Sequence, residues 1–317
     1  MENNKSNLSA SQTMLIVVES MIGVGILSLP AQLAHIAKND GWMAVIIASA
    51  YPFYMVLCAV LIFKNSSYQN INIIEISKIH FGKILGVILA LIFASQFLVY
   101  TISGTASISN MLRVFLILFL QQYKIVIPIL LISIYTAFKG IKALGRINEI
   151  IFYLSIPLMI VTILALKEGS ILNIQPIFGN PISSIFKASI EPIYSFIGIE
   201  VIFLIVPPLM KDKRKIKSSF LKAAIIIALL YTWLSFITIY YLGIDVAQNL
   251  YWPTISLAET ISIPGISNFE FVFIFLWSSM IFTTIANQSY FLYYSLSSIY
   301  KNYHLMFYIH YYFYLLV

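Results

Sequence analysis

The first apolar stretch, residues 13–33, constrains the fold more than any other part of the chain; it reads TMLIVVESMIGVGILSLPAQL. About 20 apolar residues at ~1.5 Å per residue cross the ~30 Å hydrocarbon core of a bilayer. However, Gly23 and Gly25 share one turn at its centre, with Glu19 ahead of them and Pro30 beyond. Glycine loosens a helix, proline removes a donor, and freed backbone at membrane depth is tolerated only inside protein or along a cavity. The stretch therefore predicts a discontinuous helix that binds a ligand near the midplane, with a kinked packing helix as the alternative.

The composition places the chain among multi-pass membrane proteins. Of its 317 residues, 60% are hydrophobic and 10% charged, whereas soluble domains carry about 25% charged residues. The net charge of +7 lies in short loops between apolar spans, so it indicates membrane orientation and no nucleic-acid partner. The single cysteine, Cys58, excludes an intrachain disulfide and a cysteine-based metal site. We find no histidine–cysteine cluster, P-loop, dinucleotide fingerprint or nucleophile–base motif, and therefore expect no metal, no cofactor and no enzymatic activity.

Hydropathy predicts eight full spans, with a tight turn at 39–42, an interfacial amphipathic helix within 64–83 and a short helix over 254–261. Residues 304–317 are too few to cross and predict a partial ninth span. Most of the 19 basic residues fall in loops on the side of the N-terminus, which predicts that the N-terminus is cytoplasmic. The predicted spans are 12–36, 43–63, 84–112, 114–138, 150–166, 190–210, 223–244 and 271–300.

The sixth span contains a second interruption. It reads EPIYSFIGIE over residues 191–200 and so combines Gly198 with an intramembrane carboxylate, Glu200. Interrupted first and sixth spans that start on opposite sides fit one polytopic domain built from two inverted five-helix repeats, over about 12–166 and 190–317. In such an arrangement, half-helix N-termini favour a carboxylate and open carbonyls favour an ammonium. A zwitterionic amino acid suits this kind of site.

Several stretches through nearly the whole chain, together with Arg146, carry a family resemblance: MIGVGILSLP (21–30), DGW (40–42), SFIGIEVIFLIVPPLMKDK (195–213), WPTISL (252–257) and FLWSSMIFTT (275–284). On these motifs the chain resembles the B subunit of the nutrient germinant receptors of bacterial endospores, a branch of the amino acid–polyamine–organocation superfamily. The resemblance implies an all-α LeuT-like fold of ten helices and a small-nutrient site between spans one, three, six and eight. It also implies assembly with A and C subunits in the spore inner membrane.

The chain departs from the family pattern in two places. Asn268-Phe269-Glu270 stands where the family has an arginine before the apolar–Glu pair, so a local ion pair is expected to be lost. The sequence also stops where a ninth span would be half complete, which makes the second repeat C-terminally incomplete and suggests a truncation or a frameshifted end.

We predict three groups of site residues. Gly23, Gly25 and Gly198 are expected to contact the charged ends of the ligand through their backbone. By the resemblance, the pocket is lined by Gln96 and Tyr100, which share a face of span three, and by Ile197 and Thr284. Glu19 and Glu200 are candidates for proton or polar coupling, because intramembrane carboxylates are costly; the alternative is a neutral structural acid.

The sequence therefore predicts a membrane subunit that binds a small nutrient, an amino acid, and triggers germination. Two alternatives stay open: a proton-coupled amino acid permease with Glu19 or Glu200 as proton carrier, and a truncated inactive copy. The identity of the nutrient is left open.

Overall fold

Helices make up most of the computed structural model, which describes residues 8–64, 66–68, 70–209, 212–261 and 268–299. The first half contains α1 (Ala10–Met21), α2 (Gly25–Ala37), α3 (Gly41–Ala48), α4 (Ala50–Phe63), α5 (Ile73–Phe115), α6 (Tyr123–Phe138) and α7 (Ile141–Val161). The second contains α8 (Ala165–Glu168), α9 (Ile182–Ala188), α10 (Ile190–Ser195), α11 (Ile202–Leu209), α12 (Ile216–Ala247), α13 (Pro253–Thr260) and α14 (Phe269–Ser297).

The chain is an all-α membrane protein, as its composition predicts. Five helical runs within the described residues are long and apolar enough to cross a bilayer: Gly25–Phe63, Ile73–Phe115, Ile141–Glu168, Ile216–Ala247 and Phe269–Ser297. A further apolar pair, Ile182–Ser195 and Ile199–Ile205, is bent by 52° at its break.

Two of these runs contain sharp reversals at glycine. A Cβ on Gly41 would lie 2.9 Å from the carbonyl of Leu33, although eight residues of straight helix span about 12 Å. The chain therefore turns back between α2 and α3, at the tight turn predicted for 39–42. In α5, Gly82 has a φ of 83° and Gly86 lies against Lys78. The residues before Gly82 thus form a separate short helix inside the predicted interfacial segment.

Helix α14 occupies the centre of the bundle, where it packs against α1, α5, α6, α7 and α13. Its fully buried Trp277 and Phe273 stack with ring centroids 5.7 Å apart. By contrast, α5 exposes large apolar side chains such as Ile84 and Val99 along its outer face. Lipid tails solvate such a face without the cost that water would impose. The core of the bundle therefore lies along α1, α12 and α14.

Some predicted span boundaries differ from the observed helices. The fourth span was expected from 114, but α5 continues to Phe115 and α6 begins only at Tyr123. The fifth and seventh spans start earlier than predicted, at Ile141 and Ile216. Hydropathy misses these ends because they carry Lys and Arg, whose long stems extend helices into the interface. The predicted helix over 254–261 is α13, and the predicted ninth span, 304–317, lies outside the described residues.

Candidate functional site

The first predicted break is present. Helix α1 ends at Met21, Ile22 is extended (φ −72°, ψ 122°), and α2 begins at Gly25. At the other end of α1, Ser9 and Gln12 form a reciprocal capping box, which fixes where the helix starts. The prediction of a discontinuous first helix is therefore confirmed.

Side chains from α12 and α14 cap the carbonyl oxygens that the break frees at the end of α1. A helix leaves its last carbonyls without backbone partners, and at membrane depth each needs another donor. The hydroxyl of Thr284 also lies within bonding distance of the Ile22 carbonyl. The other three bonds are Tyr231 Oη to Met21 O (2.7 Å), Gln288 Nε2 to Ser20 O (3.0 Å) and Thr284 Oγ1 to Glu19 O (2.6 Å).

The amide groups on the other side of the break have no such partners. In the described part of the chain, no acceptor lies within hydrogen-bonding distance of the N–H groups of residues 23–26. Gly25 is exposed, and a Cβ there would meet only Ser195 Oγ, at 3.7 Å. At Gly23 the nearest atom would be 4.0 Å away. The start of α2 therefore presents free donors beside open space, which is the polarity that favours an anion.

The second break lies directly against the first. Helix α10 ends at Ser195, Gly198 has a φ of 116°, and the chain resumes as a short 3₁₀ turn (Ile199–Val201) before α11. A Cβ on Gly198 would overlap the carbonyl group of Ser20. Glycine is required here twice, because the backbone conformation is left-handed and because the two broken helices meet at this atom.

Glu200 forms the polar group at the second break. Its carboxylate accepts a 2.8 Å hydrogen bond from the Gly198 N–H and another from the hydroxyl of Tyr51 on α4. On α5, Tyr100 lies within electrostatic range of Glu200 and beside the side chain of Gln96. The structure thus brings together four of the predicted residues and adds Tyr51, which no local sequence pattern marks.

Glu19 lies in a different cluster. Its side chain is fully buried, and one carboxyl oxygen lies 2.9 Å from the hydroxyl of Thr283 on α14. The other carboxyl oxygen has no hydrogen-bond partner among the described residues. Glu19 and Glu200, which sequence reasoning treated alike, therefore have different surroundings.

Thr284 and Ile197, the two remaining predicted residues, lie at different breaks. Thr284 caps the first break, and its hydroxyl is also 3.1 Å from the Met280 carbonyl in its own helix. Ile197 is half-buried at the second break, and its role in lining a pocket stays a prediction.

A buried pair of asparagine side chains links α7 and α14 to α1. Asn148 on α7 and Asn287 on α14 are both fully buried and exchange two hydrogen bonds, of 3.0 and 2.8 Å. Asn287 also lies 3.5 Å from the Ile16 carbonyl of α1. The pair therefore joins three helices, and it contacts α1 at Ile16, before the helix ends at Met21. Sequence reasoning missed it because its members are distant along the chain.

Within the described residues, this site contains no metal centre, and an apolar cavity lies elsewhere in the bundle. Among the described residues, no group of three His, Cys, Asp or Glu side chains could hold a metal ion. A cavity of about 440 Å³ opens between α7 and α12, with apolar side chains such as Met159 and Trp233 in its wall. None of the predicted site residues lines that cavity.

Two broken helices in contact within an all-α membrane bundle define a permease-like class of protein. The family model described as "Spore germination protein" matches residues 7–317, and the chain belongs to this spore permease family. It is 28% identical to spore germination protein A2 of Bacillus subtilis over 290 residues, or 90% of this chain and 78% of the relative. For spore germination protein B2 of the same organism the identity is 23%, over 84% and 72% of the two chains. For spore germination protein GerQB of Bacillus cereus it is 22%, over 88% and 76%. The predicted family resemblance is confirmed.

Proposed function

We propose that this spore germination membrane protein is the B-type subunit of a nutrient germinant receptor, and that it binds an amino acid between its two broken helices. The observation that supports the proposal is the contact between the two breaks: Gly198 meets Ser20, and a Cβ on Gly25 would lie 3.7 Å from Ser195 Oγ. Glu200 accepts a hydrogen bond from the Gly198 N–H at the second break. Free donors on one side and an acid on the other suit the two charged ends of a zwitterion. Gly23, Gly25, Gln96, Tyr100, Ile197, Gly198 and Thr284 are the proposed ligand-binding residues.

The proposed architecture is a LeuT-like pair of inverted repeats within one domain, the first over about 12–166 and the second beginning near 190. The residues around the two breaks support it, since MIGVGI (21–26) aligns with FIGIEV (196–201) and superposes Gly23 on Gly198. Each segment also leads into an apolar helix, α2 after the first break and α11 after the second, which is the order that a duplicated unit produces.

The proposal includes a location and partners. The subunit resides in the spore inner membrane with a cytoplasmic N-terminus, because basic residues concentrate in loops on that side. It assembles there with A and C subunits, and ligand binding shifts the population between conformations of the complex.

The test of the proposed function is Gly25→Leu, in spores that lack their own receptors and carry this chain with its A and C subunits. A leucine at position 25 enters the open space beside the break, so we expect loss of the optical-density fall that amino acids trigger in germinating spores. Ser95→Leu is the matched control, because Ser95 lies on the exposed face of α5. Membrane levels of both variants should match wild type. Normal germination of Gly25→Leu spores would contradict the proposal.

One observation favours a second candidate, a proton-coupled amino acid permease. Glu19 is fully buried and one of its carboxyl oxygens has no partner in the described part of the chain, and intramembrane carboxylates are typical of proton relays. Uptake of a labelled amino acid by reconstituted vesicles that follows a pH gradient and disappears in Glu19→Gln would favour the permease. The absence of such uptake, with germination intact in Glu19→Gln, would favour the receptor.

A further inference from the structure

We infer that Glu200 is the binding group for the protonated amino group of the ligand, and that Tyr51 holds its carboxylate in position. The inference rests on the proposed function and adds the chemical class of the ligand. The ligand carries a primary amino group, and an acid without an amino group does not bind at this site. Tyr51 is a positioning residue, since its hydroxyl bonds the carboxylate.

The carbonyl groups of the first break are poor alternatives for this role. Tyr231, Gln288 and the single hydroxyl proton of Thr284 can cap three of the four carbonyls of residues 19–22, since Thr284 lies within bonding distance of both the Glu19 and the Ile22 carbonyl. A carbonyl is moreover a neutral acceptor, whereas a carboxylate such as Glu200 forms the stronger, charge-assisted hydrogen bonds with a cation. An ammonium therefore finds its stronger acceptor, a carboxylate, at the second break.

No basic side chain among the described residues forms an ion pair with Glu200. Its two hydrogen-bond donors, the Gly198 N–H and the Tyr51 hydroxyl, are both neutral. Within the described ranges the ion pairs involve other acids, Glu75 and Asp212. A carboxylate offers about four lone-pair positions, and two of them remain for a ligand. Charge-assisted hydrogen bonds to a cation are the strongest use of those positions.

The surroundings of Glu200 fit a small amine. Tyr100 on α5 and Tyr51 on α4 are the titratable side chains that interact with it. Both are neutral hydroxyls at physiological pH, so neither competes with a ligand as a cation. Gly198, whose N–H holds the carboxylate, touches the first break at Ser20. The amino and carboxylate groups of an α-amino acid share one carbon, and their proposed partners belong to two breaks that touch each other at Gly198 and Ser20.

The experiment measures binding to the purified chain in lipid nanodiscs by calorimetry. The probes are the twenty α-amino acids and, for each that binds, its N-acetyl form and its desamino acid. We expect wild type to bind the free amino acid and to lose at least roughly tenfold in affinity for both modified probes. Glu200→Gln should weaken the free amino acid by roughly ten- to a hundredfold, and Tyr51→Phe by less, because the charge remains. Glu149→Gln is the control and should not change the affinity, because Glu149 lies on α7 and bonds Ser11 at the start of α1, away from the break.

The possible outcomes distinguish failure of the proposed function from failure of the role inferred for Glu200. If wild type binds no amino acid, both the proposed function and the inference fail. If wild type binds an amino acid and Glu200→Gln binds it equally well, the proposed function stands and the inference is overturned. Should Glu200→Gln fail to fold, the modified probes on wild type still decide, because equal affinity for the N-acetyl form would overturn the role of the ammonium.

Discussion

The substitution Gly198→Ala tests whether the two broken helices really meet. Gly198 has a φ of 116°, and a Cβ there would overlap the Ser20 carbonyl, which also accepts the hydrogen bond of Gln288. A non-glycine residue at such a φ costs about 1–3 kcal/mol, and forcing an extra methyl into packed backbone costs a similar amount. We therefore expect roughly 2–6 kcal/mol of destabilisation, which is at least tenfold in the folding equilibrium.

The assay is thermal unfolding of the purified chain in detergent, followed by the loss of the monodisperse peak in size-exclusion chromatography. Gly104→Ala is the matched control, because a Cβ there meets Ile285 at an ordinary 3.5 Å and alanine favours a helix by up to about 1 kcal/mol. Gly198→Ala should melt well below wild type, and Gly104→Ala at or above it. Equal melting of the two variants would refute the contact between the breaks.

Three further predictions concern the supports of the site and its periphery. Tyr231→Phe leaves a buried α1 carbonyl without its donor and should cost about 1–3 kcal/mol in thermal unfolding, whereas Phe at the exposed Tyr153 should cost almost nothing. Replacing Asn148 or Asn287 by Ala should destabilise the folded chain by a similar amount, because each single variant leaves the other amide without its partner. The double variant should lose clearly less stability than the sum of the two single variants, and additive losses would contradict the interaction. On α13, partial burial and then a neighbouring carboxylate raise the pKa of Glu259. The folded state therefore holds this proton more strongly than the unfolded chain, and that stabilisation is lost as pH rises through the folded pKa. The stability of Glu259→Gln relative to wild type should therefore increase as pH rises above the unfolded pKa of about 4.3 and level off above the folded pKa; a pH-independent difference would contradict this.

Local sequence signals predicted the interruptions of the helices. Glycines, a proline and acids inside apolar spans are costly where they stand, so their presence in residues 13–33 and 191–200 indicates breaks without any knowledge of the fold. The turn at 39–42 was predictable from its Asn-Asp-Gly sequence, because these residues favour tight turns. The helix ends were less so, because lysines and arginines near Ile141 and Ile216 lower the hydropathy of residues that are still helical.

The partners across the bundle could not be predicted in this way. Tyr51 and Glu200 are 149 residues apart, and Asn148 and Asn287 are 139 apart. The sequence around a tyrosine or an asparagine in an apolar span contains no periodic pattern that identifies its partner. These pairs form only because α14 and the second break pack against their neighbours. The spacing of four residues placed Gln96 and Tyr100 on one helix face, and their role in lining a pocket stays a prediction.

The two acids show why the partners matter for a receptor. Each follows or precedes a break by a few residues, yet Glu19 faces the central helix α14 whereas Glu200 faces α4 and α5. A ligand shifts a conformational equilibrium only through its differential affinity for the two states, and reversing a 1:99 population takes about 5.5 kcal/mol. Charge-assisted hydrogen bonds contribute about 1.5–3 kcal/mol each. One bond to the start of α2 or to Glu200 alone is therefore insufficient, whereas an amino acid that spans both breaks reaches the required range. A receptor built on this site should thus respond to the zwitterion and not to either half of it.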